Sequence, residues 1–167
     1  MLTIKDKDVR GGVYVGRELG PDDAIVVPAH IRLIRFPSCL SIKALMTGKG
    51  VRAICGPEAR IRHLKLGGPT LFNGSLFCGS VDAAEMIVVR GDLVTWLGDV
   101  NSQDGSIIVD GQIVSAGGVA ARNGAIVAES VKAEGRVFSL NTWTRKSGEK
   151  MTGIAFIANE EAAALSA

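Results

Sequence analysis

The sequence predicts an all-β fold, a single-stranded β-helix (β-solenoid) with about 17–20 residues per coil, and three interleaved series of residues predict it. The first is Gly-x-Val: Gly79-Ser80-Val81, Gly98-Asp99-Val100, Gly117-Gly118-Val119 and Gly135-Arg136-Val137, whose glycines step by 19, 19 and 18 residues. The second centres on Gly74, Gly91 and Gly111, in Phe72-Asn73-Gly74-Ser75-Leu76, Val89-Arg90-Gly91-Asp92-Leu93 and Val109-Asp110-Gly111-Gln112-Ile113. The third is apolar: Met86-Ile87-Val88-Val89, Ile107-Ile108-Val109 and Ala125-Ile126-Val127-Ala128. A fixed period near twenty makes each repeat one structural unit that buries its apolar face only by stacking on its neighbours.

The chain of 167 residues has the length of one domain and can bury a core without disulfides or metals. Apolar residues make up 47% and aromatic ones 5%, so Val, Ile, Leu and Ala must build that core. The expected organisation is an N-terminal set of strands acting as a cap over 1–36, the solenoid over 37–144, and a C-terminal strand and helical tail over 145–167. Caps are expected because a solenoid exposes an unpaired edge and an open core at each end.

In the opening segment, Val13-Tyr14-Val15 is bracketed by Gly11-Gly12 and Gly16, and Ala24 to Val27 reads as a strand ended by Pro28. Between them Gly20-Pro21-Asp22-Asp23 has the residue types of a turn. This segment lacks the repeat. The apolar coils start at Ile31, Thr47-Gly48-Lys49-Gly50 reads as a turn, and Val51 to Cys55 alternates like a half-buried strand. From Ala59 to Leu66 alternation is stricter, yet Ile61, Leu64 and Leu66 fit one face only if the chain bends near His63. From Leu71 to Phe138 each coil holds three short strands with Gly or Asp/Asn turns at its corners, Asn101 to Gly105 being a longer corner. Gly153 to Ala158 reads as one more strand, and Asn159 as the N-cap of a short helix over Glu160–Ser166.

Charge is asymmetric. Between His30 and Lys65 lie eight Lys and Arg against one acid, Glu58, for +7; the rest carries −5 of the net +2. Arg32, Arg35, Arg52, Arg60, Arg62 and Lys65 are the candidate partner-binding residues, and a protein partner, either another copy or an acidic protein, is expected rather than nucleic acid. No catalytic, cofactor or metal site is expected. His30 and His63 have no Cys, Asp or Glu at metal-ligand spacing. There is no G-x-S-x-G, and Thr47 to Gly50 lacks the spacing of a phosphate loop. Arg90-Gly91-Asp92 occupies a repeat corner, and the acids from Asp82 to Asp110 lack the G-G-x-G-x-D pattern of calcium β-rolls. Hexapeptide acyltransferases are disfavoured because Val100 to Ile107 and Val119 to Ile126 are each seven residues, not six. Cys39, Cys55 and Cys78 form no CxxC pair and are expected to be small buried residues in a reducing compartment. With no apolar leader at the N-terminus and no apolar run of membrane length, a soluble, cytoplasmic protein is expected.

The stretch 86–138 resembles the bactofilins, polymer-forming cytoskeletal proteins of bacteria, in Ile87 to Leu93, Ser106 to Gly111 and Ala133 to Val137. The resemblance covers about a third of the chain. It implies a right-handed β-helix without nucleotide that assembles end to end through its terminal coils. The function expected is that of a non-catalytic scaffold acting through protein–protein contacts. The alternative is a monomeric partner-binding protein, such as a toxin inhibitor or immunity protein, using the basic residues 32–65. The basic, poorly repeated N-terminal half departs from the family pattern.

Overall fold

A computed structural model describes residues 1–144; the expected strand at 153–158 and helix at 160–166 lie outside the described residues. The chain winds into a β-solenoid of about seven turns, each of about 19 residues. The inner coils each contribute a short strand to each of three faces, the first and last described coils to two of them, and like strands of successive coils pair in parallel. Face A runs through Leu2–Thr3, Ala24–Val27 and residues 44–47, 63–66 and 80–83, then Val100–Ser102 and residues 119–121 and 137–139. Face B runs through Val13–Tyr14, Leu33–Phe36, Arg52–Cys55, Thr70–Phe72, Ile87–Val89 and Ile107–Val109, then residues 125–128 and 141–144. Face C begins with residues 40–42, 58–61 and 75–78 and continues through Leu93–Thr95, Gln112–Ser115 and Ser130–Ala133.

The three sequence series are the register of this stack. Val81 pairs with Val100, Val100 with Val119, and Val119 with Val137 on face A. Leu76, Leu93 and Ile113 follow one another on face C, and Ile87, Ile107 and Ile126 on face B. These side chains converge inside the tube and are all buried except Val137. Like residues repeat because each inward side chain packs on its own kind one coil above and below, about 4.8 Å away. Inward hydroxyls also stack: Thr95 and Ser115 are 3.0 Å apart, and each reaches the carbonyl of a corner glycine. Among the described residues no buried side-chain N or O lacks a hydrogen-bond partner.

Corners follow from local chemistry. In Glu58–Leu66 the buried residues are Ala59 and Ile61, then Leu64 and Leu66, with Arg62 and His63 both exposed between them. That break in alternation is the bend from face C to face A. At Gly74 a side chain would collide with the carbonyl oxygen of Pro57, so only glycine lets the coils approach. Gly11 and Gly12, with φ of +56° and +80°, form the two-residue hairpin loop between Val9–Arg10 and Val13–Tyr14.

Two expectations need correction. The opening segment was expected to stand outside the repeat, but Leu2–Thr3, Ala24–Val27 and Leu33–Phe36 are parallel rungs of faces A and B. Its glycines mark turns of other geometry, so the Gly-x-Val pattern is missing although the register continues. Only the antiparallel strand Val9–Arg10 departs from parallel stacking among the described residues. Cys39 is exposed, whereas Cys55 and Cys78 are buried, because Cys39 lies in the corner before Leu40 and not in a rung.

Candidate interaction surfaces

Outward side chains decide what each face presents. On face C the central outward row is Ser41, Arg60, Phe77, Val94, Val114 and Lys132, set by successive register pairs. Alternation around buried Leu93 and Thr95 turns Val94 and Trp96 outward, and Leu97 follows at the corner. Trp96 and Leu97 are each about half exposed, and Val114 is 37% exposed. The Arg60 guanidinium lies 5.0 Å from the centre of the Phe77 ring, and its Nε donates to Glu58 Oε1 at 2.9 Å. Lys43 and Arg62 sit one coil apart beside this row and form no ion pair among the described residues. Face C thus carries an aromatic and aliphatic strip with cations at its N-terminal end.

Face B is different. Its outward row is Arg35, Ile54, Leu71, Val88, Ile108 and Val127. From Ile54 to Val127 every member is buried, with Val88 at 0% exposure, and together with Met86 and Ala125 they form a cluster separate from the interior core.

Face A carries Met46, Lys65, Asp82, Asn101, Ala120 and Phe138 outward. Toward its C-terminal end an open groove of about 870 Å³ is lined by Asp82, Asp99, Asn101, Gly118, Arg122 and Phe138 among others. The groove floor exists because Gly117 and Gly118 leave no side chain over the strand. Asp99 Oδ1 accepts a hydrogen bond from the Gly118 amide at 2.7 Å, so this carboxylate ties two coils together.

The last described rungs are residues 137–139 and 141–144. The inward valine ladder of face A is 0% exposed at Val119 but 44% at Val137, and Phe138 and Leu140 are more exposed still. Among the described residues nothing packs over this last coil.

The six basic residues singled out in the sequence do not share a face. Arg35 and Arg52 belong to face B, with Arg32 just before its strand. Arg60 lies on face C, Lys65 on face A, and Arg62 at the bend between them. Only Arg60 and Arg62 adjoin the apolar strip. That strip escaped sequence reading because Phe77, Val94, Trp96 and Val114 come from three coils; the available signal was the outward phase of alternation around Leu76, Leu93 and Ile113.

Reactive groups are scattered. Burial pushes the Cys55 and Cys78 thiols up to about 12, so neither is a thiolate near neutral pH. His30 Nε2 lies 2.9 Å from Asp6 Oδ1 on an exposed surface, a pairing across 24 residues that spacing did not reveal. His63 is exposed at the bend. Among the described residues no group of three or more His, Cys, Asp or Glu side chains converges to hold a metal, and no helix is long and apolar enough to cross a membrane. No protein-family model, curated protein or solved structure matches the chain.

Proposed function

We propose that this protein is a non-catalytic, cytoplasmic scaffold that works through protein–protein contacts and assembles end to end through its terminal coils. The observation that carries the reading is the exposure of the last described coil: Val137, in the ladder of otherwise buried valines, is 44% exposed beside Phe138 and Leu140. An unpaired strand edge over an open apolar core is a template for another strand. At the other end face A begins with the edge strand Leu2–Thr3. A head-to-tail contact that continues face A would join unlike surfaces and so generate an open filament rather than a closed dimer. The β-solenoid fold is compatible with the bactofilin resemblance of residues 86–138, which implies the same mode of assembly. Light scattering across concentration, with negative-stain microscopy on the same sample, tests it. Large open oligomers that dissolve in the Phe138→Glu, Leu140→Glu variant are expected. A concentration-independent monomer near 17.5 kDa would refute the proposal.

A second reading is favoured by the strip on face C. Exposed Trp96 beside Phe77, Arg60 and Arg62 combines the residue types that dominate binding hot spots. A monomeric partner-binding protein, such as a toxin inhibitor, would use it to hold an acidic protein. Arg60→Glu with Arg62→Glu should then raise the Kd for one purified partner at least tenfold with unchanged circular dichroism. An unchanged Kd would leave those arginines as solvated surface.

A further inference from the structure

We infer that face C recognises a short extended segment of a partner protein, acidic at both ends and apolar between, laid along the solenoid axis. The inference deepens the partner-binding reading of this face and rests on it. The outward row runs Arg60, Phe77, Val94, Val114, Lys132, each set beside the next by register. Three apolar side chains are thus bracketed by a cation at either end. Arg60 Nε donates to Glu58, which leaves its two terminal nitrogens for a further carboxylate. Lys132 is exposed and forms no ion pair among the described residues. Lys43 and Arg62 add charge at the Arg60 end, and half-exposed Trp96 and Leu97 border the apolar middle. Asp92, at the corner before Leu93, is held by the Gln112 amide at 2.8 Å.

The charge pattern selects the occupant. A second copy does not fit. A two-fold contact through face C has its axis either along the solenoid or across it. The first sets each Arg60 and each Lys132 on its own counterpart, and the second sets Arg60 on Lys132. Both bring like charges together, which disfavours the contact. A segment with an acid at each end meets both cations instead. Spacing fixes its length. Arg60 and Lys132 are four coil steps apart in register, about 19 Å at ~4.8 Å per step. An extended chain advances about 20 Å in six residues, and residues an even number apart share one face. Acids at positions i and i+6 therefore reach the two ends of the row. Apolar residues at i+2 and i+4 lie about 6.7 and 13.4 Å along the same line. Measured from Arg60, Phe77 stands at about 4.8, Val94 at about 9.6 and Val114 at about 14.4 Å. One apolar side chain then drops between Phe77 and Val94, and the other between Val94 and Val114.

Fluorescence anisotropy of a labelled, end-blocked peptide, Glu-Ser-Leu-Ser-Leu-Ser-Glu, titrated with the full chain tests it. Saturable binding is expected, weakened by added salt and abolished by Val94→Asp. Arg60→Glu and Lys132→Glu should each weaken it at least fivefold with unchanged circular dichroism. The peptide with one residue fewer between its acids, Glu-Ser-Leu-Ser-Leu-Glu, should bind at least fivefold more weakly. A peptide with Lys at both ends should prefer the Arg60→Glu, Lys132→Glu double variant to the unaltered protein. No peptide binding, equal binding of the two lengths, or an effect of Arg60→Glu with none of Lys132→Glu would overturn the inference. So would co-sedimentation with phosphatidylserine vesicles that Val94→Asp abolishes, because the strip would then be a membrane contact. The broader reading of face C fails separately, when Arg60→Glu with Arg62→Glu leaves the Kd for a purified protein partner unchanged. A partner that still responds to those reversals while the peptide does not bind would overturn only the two-ended segment.

Discussion

Val100→Ala and Val137→Ala delete the same two methyl groups from the same inward ladder, but the fold assigns them different costs. Val100 is 0% exposed and lies between Val81 and Val119. At roughly 0.8 kcal/mol per buried carbon the transfer loss is about 1.6 kcal/mol. The tube cannot collapse around one coil without breaking ladder hydrogen bonds, so a cavity term brings the total to about 2–3 kcal/mol. Val137 is 44% exposed and has a packed coil on one side only among the described residues. Its loss should be about 1 kcal/mol or less, from the same ~0.8 kcal/mol per carbon reduced for exposure. Urea unfolding followed by circular dichroism at low protein concentration measures both. Equal costs would refute the open terminal coil and remove the basis of end-to-end assembly. If assembly holds, Val137→Ala should also raise the concentration at which oligomers form, an effect absent from the unfolding data at low concentration.

Gly74→Ala should abolish soluble expression or cost more than about 3 kcal/mol, because its methyl meets the Pro57 backbone oxygen. Gly11→Ala, where nothing lies nearby but φ is +56°, should cost only about 1–2 kcal/mol by thermal unfolding. Ser102→Ala removes a hydroxyl 2.8 Å from the Glu85 carbonyl and 2.9 Å from the Gly105 carbonyl, and should cost about 1–2 kcal/mol. With Ellman's reagent the native protein should show one fast thiol, Cys39, and the other two only on unfolding; fast reaction of all three would contradict the buried rungs. The Arg17 guanidinium beside Asp23, aided by the Gly20 amide, lowers the carboxyl to about 2. A depressed folded pKa contributes stability that is present above the unfolded value near 4 and lost as pH falls toward 2. Asp23→Asn should therefore flatten the acid limb of the stability profile in that window and leave its alkaline side unchanged.

The basic segment shows where reading from sequence stops. Arg52 and Arg60 are eight residues apart in one charged stretch, yet they project from faces B and C. Sequence shows that a residue points outward, through alternation, but not which of three walls it leaves. The opening rungs were missed for a related reason. Parallel pairing needs only backbone and an apolar inward residue, and Ile25 and Val27 meet that need without any Gly-x-Val signature. At Gly74 the register partner is Pro57, which carries no glycine signature, since Ser75 pairs with Glu58.

The sequence by itself determined the coil length, the inward ladders and the bend at Arg62 and His63. Each of these follows from a local pattern, because stacked coils demand like residues at a fixed step. Only the tertiary structure decided that Phe77, Val94 and Val114 form an open strip while Ile54, Leu71, Val88, Ile108 and Val127, just as apolar, are withdrawn from water. The reason is physical: exposure depends on what lies across from a side chain, and no local pattern along the strand encodes that.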